Sequence, residues 1–560
     1  MTLRHLDPVD LLHRIRLGQN SLVGGLDGSQ RHLPYYNCGF NHSGSRKGDL
    51  TRFSPRTTAD LPHHVPRCIL ALCMAEPITG DRTDKKVMDD LVEHLFSLFD
   101  EADDLPGQPK DDTHERTIDL HSVREVTLAL TELIRRGDER AEHWGRRMVR
   151  KLRQALDDNG KIDLRRLPSC LTRYTSQPHK EGRATGAMVS YYRVTGDEVA
   201  LENALLMTDY ALENCFSPHG ALTERAGHHT HSINALTAGM LDLALLTNDP
   251  GLLERAKKVY DVGLPAFCSS FGWARERVDV LNEKGEGNTT ADYLRGALLL
   301  GGAGFPEYFD LAERILRGHL LPSQLLDVKG YCDDPNAGED FRRSLASRVL
   351  GGFGFRAPND LIVPGYVNPY RGYETIAIEK KGLRLRSTKN AVLIKEADIV
   401  VPEDTDTVMT IYDVTSSVVE ALCAAWHAVV VPDDLGIRIN LLLSCRANGV
   451  SVTSHLSGEG RVDIDNSSGR NVLLRIPQWV PQSQVRLKTG GQERPPKFVG
   501  RYLLVPVEQA DGTISVTFPE RRQRTVESIC FKEYTIDWVG DQIVAMSPLG
   551  PCLPMFPACE

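Results

Sequence analysis

Histidines are unusually dense in residues 227–232 of this sequence, where His228, His229 and His231 fall within four positions at the start of a predicted helix. A metal site would need a third ligand from elsewhere, and no HExxH pattern accompanies the group. Two alternatives stay open. Either His229 and His231 bind a polar ligand such as a sugar through its hydroxyls, or the histidines are ordinary surface and packing residues. The sequence predicts no metal site.

The segment 273–292 is rich in carboxylates and begins with an aromatic residue, Trp273. Its acidic residues are Glu276, Asp279, Glu283, Glu286 and Asp292, and it leads into a predicted helix. Acidic residues at a helix N-terminus are explained equally well as partners of the helix dipole. Cleavage of a glycosidic bond, however, needs two carboxyl groups beside it, one of them protonated. The segment therefore predicts acid catalysis on a sugar, with Glu276 and Glu286 as catalytic candidates and Trp273 and Asp292 as substrate contacts.

Further polar and aromatic residues are weaker candidates for lining the same pocket. Tyr331 opens an acidic loop at residues 331–334, and Tyr36 and His64 precede or begin an apolar helix. Ordinary loop composition explains them as well. The sequence lacks a glycine-rich dinucleotide motif, a phosphate-binding GxxxxGK[ST] motif and a GxSxG nucleophile motif. Nucleotide-dependent chemistry and serine hydrolysis are therefore not favoured, and we expect no cofactor.

Composition narrows the class of protein. The chain has 560 residues, a net charge of −9 and 41% hydrophobic residues, which indicates a soluble globular protein with a sizeable core. The acidic balance argues against nucleic-acid binding, and no run of about 18 apolar residues predicts a membrane span. Twelve cysteines without a CxxC pair and no apolar leader favour a cytoplasmic protein with reduced thiols. A homodimer is possible.

The first 350 residues read as helical hairpins. Asp84–Asp100 has an apolar stripe at helical spacing, and three segments, 187–212, 238–263 and 296–320, each read as helix, short turn and helix. Their spacing of about 50 residues indicates stacked helix pairs, which form either an open solenoid or a closed toroid. By analogy with other six-hairpin chains, we predict an (α/α)6 barrel over residues 1–360.

The pattern changes after a glycine- and proline-rich break at residues 351–360. Short alternating runs follow, at 375–379, 391–395, 436–443, 449–455, 472–476, 502–507 and 513–518. Such runs, separated by turn residues, predict an antiparallel β-sandwich over residues 361–560. One amphipathic segment, 414–427, predicts a helix that packs back on the barrel. The predicted fold class is thus α+β and multidomain, with a helical toroid followed by a sandwich.

Three stretches of the sequence resemble glycoside hydrolase family 127, the β-L-arabinofuranosidase type, and its relatives. The first is the run from Glu286 to Asp292 together with 308–314 and 321–324; the others are the strands 434–441 and 474–479, the last reading Leu-Arg-Ile-Pro-Gln-Trp. The resemblance implies an (α/α)6 barrel followed by β-sandwich modules, and a carbohydrate-active enzyme acting on a glycoside.

The resemblance also implies a changed catalytic centre. Members of the family hold zinc with a glutamate and three cysteines, one of which is the proposed nucleophile. Glu286 keeps the glutamate position, but Asn288 and the pair Asp413-Val414 stand where the cysteines would be. The zinc site and thiolate are therefore expected to be absent. Asp413 then supplies a carboxylate at the nucleophile position, and His229 opens a pocket-lining helix.

These observations lead to one preferred hypothesis and two alternatives. The preferred one is a metal-independent glycoside hydrolase, in which Glu286 or Glu276 is the acid and Asp413 or the other glutamate is the base or nucleophile. The first alternative is a lyase or epimerase acting on uronate-containing glycans, with Arg275 or Arg277 binding the uronate carboxylate. The second is a carbohydrate-binding protein without catalysis.

Overall fold

The computed structural model describes residues 10–43, 50–53, 60–110, 115–167, 176–328, 347–363, 407–510 and 512–560. In this part of the chain, twelve helices of nine or more residues precede most of the strands. Helices α1 to α12 span Leu11–Gly24, Leu61–Thr79, Lys85–Phe96, Val123–Arg135, Glu139–Ala155, Thr185–Thr195, Glu198–Asn214, Thr230–Thr247, Pro250–Lys258, Gly287–Gly302, Glu307–Ile315 and Tyr412–Val429. The predicted amphipathic helix at 84–100 is confirmed as α3.

The even-numbered helices contact one another in a closed sequence. α2 packs on α4, α4 on α6, α6 on α8, α8 on α10 and α10 on α12, and α12 packs back on α2. Each odd-numbered helix packs on its even-numbered neighbour, and α1 contacts both α2 and α12. Most of α8 is buried, whereas α9 buries only Ala256. The even helices therefore form an inner layer and the odd helices an outer one.

Local sequence explains why the hairpins begin and turn where they do. Each of the outer helices α3, α5, α7 and α9 starts after an aspartate whose side chain accepts backbone N–H bonds: Asp84, Asp138, Asp197 and Asp249. Such caps each stabilise a helix by about 1 kcal/mol. The preceding inner helices α6 and α8 end at Gly196 and Asn248, both in the left-handed conformation. The short turns predicted within 187–212 and 238–263 are thus confirmed as hairpin turns.

Two larger sheets follow α12. The first contains β10 (Val430–Asp433), β11 (Gly436–Ile439), β15 (Val472–Arg475), β19 (Tyr502–Val505) and β18 (Lys497–Val499), in that spatial order. The second contains β12 (Cys445–Ala447), β13 (Val450–His455), β14 (Arg461–Asn466), β20 (Ile514–Thr517), β16 (Arg486–Thr489) and β17 (Gln492–Arg494). Alternate residues of both sheets, such as Leu474 and Ile464, are buried in the same hydrophobic cluster as the helices.

One strand pair departs from the antiparallel expectation. β11 and β15 run parallel, with Ile437 opposite Val472, whereas the other pairs in the two sheets are antiparallel. Parallel neighbours need a crossover connection, and here β12, β13 and β14 of the second sheet lie between them in the chain. Alternation within each strand predicted the strands themselves but carries no information on this pairing.

A third, three-stranded sheet closes the chain: β21 (Arg522–Ile529), β22 (Lys532–Val539) and β23 (Gln542–Ser547). Its buried face, including Ile536 and Met546, packs with Phe271 and Trp273 from the helical region. The predicted strands at 375–379 and 391–395 lie outside the described residues. A short strand, β9 (Thr407–Ile411), pairs with β3 (Asn37–Asn41) and leads directly into α12.

The predicted helix at 414–427 therefore lies within α12, and it does contact the helical layer. In the described residues, the two larger sheets begin at Val430. The predicted domain boundary at residue 360 stays a prediction. None of the helices in the described ranges is long and apolar enough to span a bilayer.

Candidate active site

The N-terminal turns of the six inner helices meet at one place. They bring together the side chains of His63, Glu125, Arg183, His231, Asn288 and Asp413, one from each helix or the turn before it. Helix N-termini carry a partial positive charge that stabilises carboxylates. The predicted candidates Glu286, Asp413, His229, His231 and Asp292 all lie in this cluster, although the sequence separates them by up to 184 positions.

Glu286 is the residue immediately before α10 and is 7% exposed. A two-residue strand, β7 (Gly285–Glu286), pairs with β8 (Phe355–Arg356) and fixes its backbone. Its Oε1 accepts a bond from Asn288 Nδ2 at 3.2 Å, and its Oε2 accepts one from Thr289 Oγ1 at 3.3 Å. Burial, reinforced by the charges of Glu276 and Asp413, raises the pKa of Glu286 to about 8. The group is therefore protonated at neutral pH, as a general acid requires.

Asp413 is the second residue of α12 and is also buried. Its Oδ2 accepts from Asn288 Nδ2 at 2.9 Å and lies 3.2 Å from His63 Nε2, whereas Oδ1 lies 3.8 Å from His64 Nε2. Burial alone would raise the pKa of Asp413, but the His63 hydrogen bond and the neighbouring positive charges hold it well below its ordinary value. Two carboxyl groups with opposite protonation states thus share one donor atom.

Glu276 does not match this environment. Its side chain is a quarter exposed, and its Oε2 pairs with Lys284 Nζ at 2.8 Å. Because it reaches solvent and is paired with a cation, Glu276 lacks the desolvated setting of a general acid. Of the two glutamates proposed from the sequence, Glu286 is the one in the environment of an acid, while Glu276 contributes charge that raises its pKa.

A buried network of ion pairs lies next to the two carboxyl groups. Glu125 Oε1 accepts from Arg67 and Arg183, each at 2.7 Å, and from Arg124 at 3.2 Å. Arg124 also donates to Asp292 Oδ1 at 2.8 Å. These positive charges, despite the burial that opposes ionisation, keep the pKa of Glu125 well below its ordinary value. Asp292 is therefore a structural partner of an arginine and of His231, which lies 3.1 Å away.

His63 connects that network to Asp413. Its Nε2 faces Asp413, and its Nδ1 lies 3.6 Å from Glu125 Oε2. Burial and the Arg67 charge favour the neutral ring, but the two flanking carboxylates outweigh them and raise the pKa of His63 above its ordinary value. The contact with His63 is in turn one reason why the pKa of Asp413 is lowered.

Six imidazoles form a continuous cluster across the site. His63 lies 5.0 Å from His121 and 5.8 Å from His64 between ring centroids. His121 lies beside His229, which stacks on His179 with centroids 4.0 Å apart and rings within 8° of parallel. Neutral rings can stack in this way, and burial lowers the pKa of both His179 and His229 well below the ordinary value. The polar rings of His179 and His229 suit contacts with sugar hydroxyls.

One group in the described residues has ligand atoms close enough for a metal ion: His229, His231 and Glu286, within 4.8 Å of one another. Glu286 is the third ligand that the sequence analysis did not find. However, both nitrogens of His231 already face other groups. Nε2 lies 3.1 Å from Asp292, and Nδ1 lies 3.5 Å from the Arg183 guanidinium. A cation bound there would face that positive charge, and the thiolates of a family-127 zinc site have no counterpart around Glu286 among the described cysteines. The site therefore differs from a family-127 zinc site in its donor atoms, and an arginine lies against one of them.

The remaining predicted contacts are divided between the site and the core. Tyr36 and His64 pack together, with ring centroids 4.8 Å apart, beside Asp413. Trp273 does not join the pocket, because it is 2% exposed, packs against the C-terminal sheet and donates from Nε1 to the Arg356 carbonyl. A buried indole of this kind is a packing residue and has no free face for a sugar. Tyr331 lies outside the described residues.

Sequence reasoning missed most of the buried charged residues and histidines that surround the two carboxyl groups. Of the pair His63-His64 only His64 was selected as a candidate, and His121, His179, Arg67, Glu125 and Arg183 were not considered. Each lies within six residues of the first residue of an inner helix. A signal was available: charged and histidine side chains at the start of an otherwise apolar helix have no place in a core unless they face a polar site.

Comparison with known proteins gives the fold a name. No family model matches this sequence, and no curated protein matches it. Among solved structures, Ara127N, a GH127 β-L-arabinofuranosidase from Geobacillus stearothermophilus T6, aligns with a TM-score of 0.54 at 13% identity over 95% of this chain and 80% of that one. A second GH127 β-arabinofuranosidase gives 0.56 and 13% over 96% and 81%, and a protein described as a glycoside hydrolase gives 0.54 and 12% over 92% and 84%. The resemblance to family 127 is confirmed for the fold: a helix-rich region followed by a β-rich one.

Proposed function

We propose that this protein is a glycoside hydrolase that cleaves its substrate without a metal, with Glu286 as the general acid and Asp413 as the nucleophile. The observation that carries the proposal is the pair of buried carboxyl groups held in opposite protonation states on one shared donor. In this proposal the closed sequence of inner helices is an (α/α)6 barrel, the two larger sheets are a β-sandwich, and the barrel carries the catalytic centre.

The spacing of the two groups supports a double-displacement mechanism. Because Glu286 Oε1 and Asp413 Oδ2 bind the same nitrogen, these oxygens are no more than about 6 Å apart. Retaining glycosidases have carboxyl groups about 5–5.5 Å apart, and inverting enzymes need about 6.5–9.5 Å to admit a water. Retention of anomeric configuration is therefore the expected outcome.

Each step has a residue to perform it. The Glu286 proton passes to the glycosidic oxygen as the bond to the anomeric carbon breaks, and Asp413 attacks that carbon from the opposite side. Oδ1 is the attacking atom, since Oδ2 accepts from Asn288 and His63. Water then attacks the glycosyl ester and gives a proton to Glu286, which restores the acid and frees Asp413.

A screen of aryl glycosides followed by three variants tests the proposal. Glu286→Gln and Asp413→Asn should each reduce kcat by several orders of magnitude, whereas Glu276→Gln should change it much less, because Glu276 already pairs with Lys284. Azide added to Asp413→Gly should restore turnover and give a glycosyl azide of inverted configuration. Wild-type turnover in either Glu286→Gln or Asp413→Asn would refute the assignment.

The proposal that catalysis needs no metal is tested separately. Elemental analysis of the purified protein should show no stoichiometric zinc, and activity should survive dialysis against a chelator. Loss of activity that zinc restores would overturn this part of the proposal.

The uronate alternative has less support from the geometry. Arg275 donates to the backbone carbonyls of Ala266 and Val278, and Arg277 forms two bonds with Asp279. Neither guanidinium is held ready for a substrate carboxylate. A product with a new double bond, absorbing in the near ultraviolet, would favour the lyase. Glycan binding without turnover, unchanged in Glu286→Gln, would favour a non-catalytic protein.

A further inference from the structure

One side chain links the two carboxyl groups of the proposed mechanism. Asn288 is the second residue of α10 and is fully buried. Its Nδ2 donates to Glu286 Oε1 at 3.2 Å and to Asp413 Oδ2 at 2.9 Å. An amide nitrogen has two hydrogens, so both are used, one for each carboxyl group. The amide thereby ties the beginning of α10 to the beginning of α12.

The orientation of this amide is fixed by its neighbours. Turning it by 180° would place Oδ1 against an oxygen of each carboxyl group, where the ionised Asp413 offers no hydrogen to share. In the observed orientation, Oδ1 is buried and has no hydrogen-bond partner among the described residues. Leaving a buried acceptor unpaired costs stability, and such groups concentrate where a polar side chain has a second role.

Other side chains around the pair touch one carboxyl group each. Thr289 donates to Glu286, and His63 faces Asp413. Arg67 donates to the Asp413 backbone carbonyl and not to its carboxylate. Asn288 bonds to both carboxyl groups at once and so limits the distance between them.

We propose that Asn288 is a positioning residue that sets the separation and relative orientation of Glu286 and Asp413. This inference rests on the proposed function. It gives the amide two tasks: it keeps two acidic groups close together by placing a donor between them, and it stabilises the ionised form of Asp413 next to a protonated Glu286. A displacement of about 1 Å between reacting groups can reduce a rate about 100-fold.

Two substitutions separate this role from ordinary packing. Asn288→Ala removes both donors, and Asn288→Asp keeps the shape but replaces the donors with a third carboxyl group. The matched control is Asn203→Ala, because Asn203 is equally buried and donates from Nδ2 to the Val149 carbonyl at 3.0 Å, far from the site on the outer helix α7. Each protein is assayed from pH 4 to pH 10 on the best aryl glycoside.

The positioning role predicts a specific pattern. Asn288→Ala should lower kcat about 100-fold with KM changed less than about threefold. In Asn288→Asp, the added negative charge should shift the alkaline limb of the kcat profile upward by about one pH unit. Asn203→Ala should lower the unfolding temperature but leave kcat and both limbs unchanged.

The positioning role of Asn288 can also be tested without a substrate. The unfolding temperature, measured as a function of pH, reports the titration of Glu286 because this group binds its proton more tightly in the folded state. In both Asn288 variants, the decrease of the unfolding temperature with rising pH should continue to a pH about one unit higher than in the wild type. If the unfolding temperatures of the Asn288 variants change with pH in parallel with that of Asn203→Ala, the inference is wrong. If Glu286→Gln and Asp413→Asn abolish turnover while Asn288→Ala retains it, only the positioning role fails. Full turnover in those two variants is instead a failure of the proposed function.

Discussion

Glu286 should make the folded protein less stable as the pH rises, and replacing it should reverse this effect. The pKa of the carboxyl group is near 4.5 ordinarily and about 8 in the fold, so between these values the folded state holds a proton that the unfolded state releases. The free energy of unfolding then falls by about 1.4 kcal/mol per pH unit over this range, up to about 5 kcal/mol in total. Glu286→Gln removes the titrating group while keeping its shape.

The assay is chemical unfolding followed by far-ultraviolet circular dichroism at pH 5, 6, 7, 8 and 9. The variant should match the wild type near pH 5 and exceed it in stability by several kcal/mol at pH 8 and above. Glu202→Gln on the outer helix α7 controls for charge removal, since Glu202 is half exposed and pairs with Arg153. The reasoning is refuted if the difference between Glu286→Gln and the wild type is the same at pH 5 and at pH 8. For the proposed acid, this loss of stability is an expected exchange of stability for activity.

Three further predictions concern neighbouring residues. Asp413→Asn should destabilise the protein by about 3 kcal/mol at pH 7, because it removes the negative charge that faces His63 and Arg67. The loss should be nearly the same at pH 4 and should shrink only at lower pH, where the unfolded carboxyl group takes a proton and the folded one does not; unfolding free energies at pH 7, pH 4 and pH 3 measure this. Glu125→Gln leaves three buried arginines short of a counter-charge and should cost more than about 3 kcal/mol, so an unfolding temperature close to wild type would contradict the network. Trp273→Phe should lower the unfolding temperature by a few degrees through the lost bond to Arg356 but leave KM unchanged, which would confirm by kinetics that the indole is not a substrate contact.

The helical part of the fold could be predicted because its signals are local. Apolar spacing in α3, the paired helices and the turn residues Gly196 and Asn248 each act within a few positions of the chain. The closed sequence of inner helices could not be obtained from the same patterns, because a solenoid has identical local signals. Closure depends on α12 reaching α2 across more than 300 positions.

The site was predictable in parts for a similar reason. Glu286, Asp292 and the histidines of 227–232 stood out because they are close together in the sequence. Asp413 was found only through the resemblance to family 127, since nothing in its own segment marks it. Trp273 was misassigned because an aromatic residue beside carboxylates has the same composition whether it faces a pocket or, as here, a sheet more than 250 positions later.

The placement of Asp413 also sets an order of assembly. The other five inner helices are complete by residue 302, yet the proposed nucleophile lies on α12, the helix that closes the inner layer between α10 and α2. A chain emerging from the ribosome would therefore carry its acid and its histidines well before its nucleophile. In the proposed function, the protein would become active only when α12 packs and completes the inner layer. A truncated or partly synthesised chain would then be inactive.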